Sequence, residues 1–233
     1  MISVIIPSLN EEKYIESTLK SLKNQDYKGE REIIVVDGGS KDKTVKIAKK
    51  YADKVIELKQ RGVARGRNAG AKEAKGDVLV FVDADTVLLF NALGEFSQEF
   101  SKKDVVGATC PIIPTSSQAR DFILYWGFNQ FVKASLKTRK PQVVGICFAC
   151  RKKAFDKVGG FNEKIDIMED FDLSERLSKL GKIKFNEKTF VLTSHRRIGK
   201  WGRGRSMRKI FKMYVNYLIE GTGGSADDYE PVR

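Results

Sequence analysis

The chain is expected to be an α/β protein, a single domain on a mainly parallel central sheet with helices on both faces. Three observations point that way. Short β-branched runs alternate with helical stretches through the first half of the chain, the pattern of crossover units. The 233 residues are 41% hydrophobic, enough for one sizeable core. Acidic residues fall at the ends of the apolar runs, along the carboxyl edge where open α/β sheets bind ligands.

The elements follow in order. Residues 2–7 read as the first strand. Asn10 precedes Glu11-Glu12-Lys13-Tyr14-Ile15, a helix start with acids in its first turn, which Ile15, Leu19 and Leu22 continue at helical spacing. Residues 32–37 form a second strand, and Gly38-Gly39-Ser40 turn it into a helix over 42–51. A short strand at 55–58, a helix at 64–75 and an apolar strand at 77–82 complete the first half. In the second half, 105–110 and 143–150 read as strands. Between them lie a loop at 111–117 and an aromatic-rich helix at 118–136. A helix over 171–180 ends at Gly181, and short strands follow at 182–185 and 189–193. The last helix covers 205–220, with Met207, Ile210, Phe211, Tyr214, Val215 and Leu218 on one face and Arg205, Arg208, Lys209 and Lys212 on the other. Residues 221–233 form a polar tail, expected to be loose.

The formal charge of +13 calls for an anionic partner: nucleic acid, an acidic membrane or a phosphorylated substrate. Its distribution is uneven. From Lys188 to Ile219 there is no acid, while nine lysines and arginines occur. No apolar run nears the ~20 residues that cross a bilayer. The start reads directly as a strand, so a cytoplasmic protein is expected. Three cysteines argue against a disulfide framework. Cys147 and Cys150 form a C-x-x-C inside an apolar run, which reads as buried thiols rather than a zinc or redox motif.

Four groups of polar residues sit where chemistry is expected. Asp83-Ala84-Asp85 ends the most apolar strand, and side chains two apart on an extended chain point the same way. Two oxygen donors facing one spot suit a hard divalent cation that holds phosphate oxygens, although aspartates also end strands simply to start turns. The other groups are Pro7-Ser8-Leu9-Asn10-Glu11, Asp37-Gly38-Gly39-Ser40, and Met168-Glu169-Asp170 after a Gly159-Gly160-Phe161 turn. Asp37 could instead cap its turn, Glu169 and Asp170 could be first-turn acids favoured by the helix dipole, and Arg67 could be a surface charge.

These stretches, with Arg67-Asn68-Ala69-Gly70 and Glu169-Asp170-Phe171-Asp172-Leu173, occur in an order that resembles the family 2 inverting glycosyltransferases of the GT-A fold. The resemblance covers about residues 1–195. It implies a nucleotide-binding half (1–110) and an acceptor half (111–195), followed by a basic loop and helix (196–220) and the tail (221–233). It implies that Pro7, Asn10, Glu11 and Asp37 cradle the base and ribose of a sugar nucleotide. Arg67 would lie beside the base or diphosphate, and Asp83 would contact the ribose or sugar. Asp85 would ligate Mg²⁺ or Mn²⁺, and Asp170 would be the catalytic base. If the acceptor is itself a phosphate, Asp170 would orient it instead. Some GT-A enzymes place a histidine near the position of His195 as a metal ligand; a partly exposed histidine beside a basic loop is the other reading.

Arg197-Ile198-Gly199-Lys200-Trp201 is loosely similar to the Gln-x-x-Arg-Trp of processive synthases, but two substitutions depart from it, and the segment reads as a flexible basic loop. The implied partners are a nucleoside-diphosphate sugar and a saccharide, lipid-phosphate or lipid-linked-sugar acceptor. The basic helix and the aromatic 122–132 stretch also suit the inner face of a cell membrane. The competing readings are a nucleotidyltransferase or other nucleotide enzyme with a similar metal site, and a basic nucleic-acid-binding protein, which Gly202-Arg203-Gly204-Arg205 favours and the grouped acids oppose.

Overall fold

A computed structural model describes residues 1–138 and 140–224, with the side chains of Arg197, Trp201 and Arg203 excepted. The elements run β1 (Ile2–Ser8), α1 (Ile15–Lys23), β2 (Arg31–Asp37), α2 (Thr44–Tyr51), β3 (Lys54–Glu57), α3 (Val63–Glu73) and β4 (Val78–Val82). They continue with β5 (Thr86–Leu88), α4 (Ala92–Glu99), β6 (Val105–Thr109), β7 (Ile112–Thr115), α5 (Ala119–Ser135) and β8 (Cys147–Arg151). The chain goes on through α6 (Lys152–Lys157), α7 (Glu169–Ser178), β9 (Lys182–Phe185), β10 (Val191–Ser194), α8 (Arg196–Trp201) and α9 (Arg203–Glu220).

The main sheet has the order β3-β2-β1-β4-β8-β6-β9. Strands β1 to β4 pair in parallel, as do β6 and β9; only β8 runs against its neighbours. Each face of the sheet is covered by its own apolar cluster. Alternate residues of β1 serve the two clusters: Ile2, Val4 and Ile6 one, Ile5 the other. Cys147 and Cys150 divide likewise, and all three cysteines are free and buried, as the apolar setting indicated.

Several sequence expectations need correction. Residues 143–146 do not extend β8, because the backbone of Gly145 is engaged by Arg67 and Asp170 instead of by a ladder. The expected loop at 111–117 contains β7, which joins a second sheet of order β5-β10-β7. Pro114 is accommodated because β7 is an edge strand, where a residue without an N–H is tolerated. Residues 196–201 are helical, not a loop. For the last helix, where the sequence leaves both packing on the domain and lying on a membrane open, the apolar face drawn from its periodicity is largely exposed. The helix buries Ser206, Met213 and Tyr217, while Met207, Ile210, Phe211 and Leu218 are exposed. The start of the expected loose tail is held, since the N–H of Gly223 donates to the carbonyl of Ile167; residues 225–233 lie outside the described residues.

Helix α3 lies directly on β1 and β2, and glycines permit the approach. A Cβ on Gly66 would stand 3.3 Å from Cβ of Pro7, and one on Gly70 would run into the Ile5 side chain. Alanine ordinarily favours a helix over glycine. Gly70→Ala is nevertheless expected to destabilise the fold by roughly 1–3 kcal/mol through overpacking. Urea unfolding should show a lowered midpoint with an unchanged slope.

Candidate active site

The carboxyl ends of β1, β2 and β4 and the N-terminus of α7 meet at one edge of the main sheet. Arg67, on α3, is the centre of the arrangement. Its side chain is 3% exposed. One terminal nitrogen donates to Glu169 Oε1 at 2.6 Å; the other donates to Asp83 Oδ1 and to the carbonyl of Gly145, both at 3.0 Å. The guanidinium also lies 5.2 Å from the centre of the Phe161 ring. The adjacent Asn68 pairs both ways with the backbone of Phe161, donating to its carbonyl and accepting from its N–H at 2.9 Å. The Arg-Asn-Ala-Gly stretch thus acts as a hub. Arg67 gathers acids, Asn68 holds the Gly-Gly-Phe turn, and Gly70 brings the helix onto β1.

Gly145 has no room for a side chain, since a Cβ there would collide with the Arg67 guanidinium. Its N–H donates to Asp170 Oδ2 at 2.6 Å, and the N–H of Phe171 donates to Oδ1 at 2.9 Å. Asp170 is therefore held by backbone donors at the positive end of α7. Met168, just before that helix, adopts φ 70°, a left-handed conformation that costs a non-glycine residue energy. Burial pushes the Glu169 carboxyl up to about 7, with the Asp170 charge adding to the rise and Arg67 opposing it. Burial likewise raises Asp170 above its ordinary 3.8, against the pull of Arg67 and the backbone donors. A raised carboxylate at a sheet edge is suited to accept a proton near neutral pH.

The remaining residues form a second cluster. Asn10, at φ 56°, lies in the loop ahead of α1. Its N–H donates to Ser40 Oγ and its side-chain oxygen accepts from the N–H of Lys41, both at 2.8 Å, tying the loop after β1 to the loop after β2. Asp37 accepts from the N–H groups of Gly39 and Ser40 and from the hydroxyls of Ser8 and Ser40, so here it shapes its own turn. Glu11 receives both terminal nitrogens of Arg196, at 2.6 and 2.7 Å, and Asp85 Oδ2 lies 3.3 Å from Arg196 Nε. His195 is brought beside Asp85 along the chain, the N–H of Ser194 donating to the Asp85 carbonyl at 3.3 Å. It opens into a small cleft that Gln118, Asp121 and Ile198 also line.

Among the described residues, no three acids, histidines or cysteines gather closely enough to hold a metal by themselves. The donor set still fits a hard cation. Asp85 and Glu11 are oxygen donors that already hold a positive group between them, and Mg²⁺ commonly takes one or two carboxylates plus substrate phosphates. The sequence reading singled out neither Arg196 nor Tyr14. The position of Arg196, two residues beyond a strand end and directly after His195, was the available signal.

The glycosyl transferase family 2 model matches residues 3–159. The chain belongs to that family. Among its relatives, the poly(ribitol-phosphate) β-N-acetylglucosaminyltransferase TarS of Staphylococcus aureus is 42% identical over 90 residues, covering 36% of this chain and 16% of TarS. The probable glycosyltransferase YdaM of Bacillus subtilis is 28% identical over 204 residues, covering 77% of this chain and 47% of YdaM. The chain thus spans less than half the length of either. Among solved structures, the Pyrobaculum calidifontis mannosyltransferase PcManGT, in complex with GDP-Man and Mn²⁺, aligns with a TM-score of 0.72 at 19% identity, over 99% of this chain and 67% of that one. S. aureus TarS 1–349 with UDP-GlcNAc aligns at 0.67 and 23% identity, over 84% and 58%. The fold is therefore of the GT-A type, and family membership favours sugar transfer over nucleotidyl transfer or nucleic-acid binding.

Removing Arg67 leaves two carboxylates without their counter-charge. Arg67→Ala is expected to cost about 3–5 kcal/mol of unfolding free energy, and Arg67→Lys also destabilises because it lacks the planar fork. Chemical denaturation of the two variants checks both.

Proposed function

We propose that this domain transfers a sugar from a nucleoside-diphosphate sugar to an acceptor, inverting the anomeric carbon. The observation that carries the reading is the convergence of Glu11, Asp83, Asp85, Glu169 and Asp170, from separate segments, around two guanidinium groups at one sheet edge. In the proposed mechanism, Pro7 and Asn10 shape the wall for the base and ribose, and Asp37 orders the turn beside them. Asp83, held by Arg67 yet 34% exposed, faces the ribose or donor sugar. Asp85 would hold the Mg²⁺ or Mn²⁺, with His195 as a second candidate ligand; the bound ion's chemistry is to carry charge on the departing diphosphate. Asp170 accepts the proton of the attacking hydroxyl. Its two backbone donors fix its orientation, and Arg67 and Glu169 set its surroundings. Attack from the side opposite the diphosphate inverts the configuration.

We assign the acceptor to a lipid-bearing molecule at an anionic membrane surface. Among the described residues no helix is long and apolar enough to cross a membrane. Helix α5 nevertheless exposes Phe122, Ile123, Trp126 and Phe131, and α9 exposes Met207, Ile210, Phe211, Leu218 and Ile219. The rings of Phe131 and Tyr214 meet at 5.6 Å, joining the two helices. Arg205, Arg208 and Lys212, all exposed, flank the apolar stripe. Apolar side chains bordered by cations suit the headgroup region of an anionic bilayer better than nucleic acid. The start of α5 also lines the cleft of His195, so this surface borders the site.

Four measurements test the reading. Thermal shift against UDP-, GDP- and dTDP-sugars with Mn²⁺ should stabilise the protein with one nucleotide class, and Asp85→Asn should abolish the metal-dependent part. Asp170→Asn should lower kcat by roughly 10²–10⁴-fold with little change in donor KM. For a hydroxyl acceptor, protonation of Asp170 removes the proton's destination. kcat/KM should therefore fall as pH falls, with a midpoint above 3.8. Finally, the protein should float with phosphatidylglycerol-containing vesicles at low salt and less so at high salt. Trp126→Ser combined with Phe211→Ser should release it; no binding at low salt would remove the membrane assignment.

A further inference from the structure

Arg196 makes three contacts from one side chain. Its terminal nitrogens donate to both oxygens of Glu11. Its Nε lies 3.3 Å from Asp85. Its guanidinium sits 4.9 Å from the centre of the Tyr14 ring. Glu11 and Tyr14 belong to the loop after β1, and Asp85 to the turn after β4, so Arg196 bridges two walls of the crevice. The side chains of Asp85 and Glu11 are only 12% and 11% exposed. Two carboxylates so far out of water need a positive group nearby, and Arg196 provides it.

We propose that Arg196 is the resident counter-ion of Asp85 and Glu11, and that its exchange of partners couples divalent-metal binding to nucleoside-diphosphate binding. The inference rests on the donor-site reading given above. A metal approaching Asp85 alone meets a guanidinium already paired with that carboxylate, and like charges at such a distance repel. Expelling Arg196 alone strips a partly buried cation of its acids. A diphosphate changes that balance. It offers the displaced guanidinium a bidentate oxygen partner, for which arginine is suited by its planar fork. Each ligand thereby removes an obstacle to the other, and the coupling must be reciprocal.

The test titrates Mn²⁺ calorimetrically into the full chain, alone and with saturating UDP or GDP, for the unsubstituted protein and Arg196→Gln. In the unsubstituted protein, nucleotide should tighten Mn²⁺ binding by roughly 5- to 150-fold. In Arg196→Gln, Mn²⁺ alone should bind more tightly than in the parent, and the nucleotide effect should shrink at least about fivefold. Arg196→Lys, which keeps the charge, should retain a coupling between the two and serves if the glutamine variant does not fold; a lysine variant without coupling overturns the proposal. Nucleotide binding with equal coupling in parent and glutamine variant overturns this inference alone. Absence of UDP and GDP binding at any Mn²⁺ concentration overturns the donor-site reading and this inference with it.

Discussion

The site depends on one buried cation. Arg67 enters from α3, beneath the loops, and its planar fork is divided among the end of β4, the 143–146 turn and the first turn of α7. Those segments are far apart in sequence, and Asp83 and Glu169 would repel one another without the charge between them. Several features that look unrelated follow from this guanidinium. Gly145 must lack a side chain to let it in. Residues 143–146 leave the sheet to present a carbonyl and an N–H to Arg67 and Asp170. Met168 is held at positive φ where α7 starts, bringing two acids of its first turn to the sheet edge. Burying a charge this deeply is weak evidence for stability, and among the described residues its Nε has no hydrogen-bond partner. The arrangement is better understood as placement, in which fold stability is exchanged for carboxylates at defined positions.

A second guanidinium organises the opposite side of the crevice. Arg196 relates to Glu11 and Asp85 as Arg67 relates to Glu169 and Asp83, but it sits on a short helix near the surface rather than beneath the loops. The buried pair is built to stay, and the more accessible pair to exchange. That contrast gives one sheet edge a carboxylate fixed by backbone donors, the proton acceptor we propose, and beside it an ion pair whose exchange we propose.

Much of this was legible in the chain. The strands of the first half were plain because parallel strands buried on both faces must be apolar throughout, and their ends were marked by Asp37 and by Asp83 with Asp85. The acids of the site were visible for the same reason. What was hidden depended on long-range pairing. β7 carries a proline that reads as loop until a partner strand leaves it at an edge. The 143–150 run looks like one strand because nothing local reveals that Arg67 claims Gly145. The face of α9 drawn from periodicity was apolar, yet the helix packs through Ser206, Met213 and Tyr217, because Phe131 and Phe171 fix its roll against the domain. Arg196 was counted among basic residues, and only its position opposite Glu11 distinguishes it from the others.

The central claim is that Arg67 and the acids of α7 act as one unit. A double-mutant cycle on unfolding free energy, with Arg67→Gln and Glu169→Gln singly and together, measures that directly. The account requires the pair to be strongly non-additive, with a coupling on the order of 1–3 kcal/mol, because Arg67→Gln leaves the buried Glu169 carboxyl without its counter-charge and Glu169→Gln takes from the buried guanidinium one of its two acids. Additive effects, within about 0.5 kcal/mol, would contradict it.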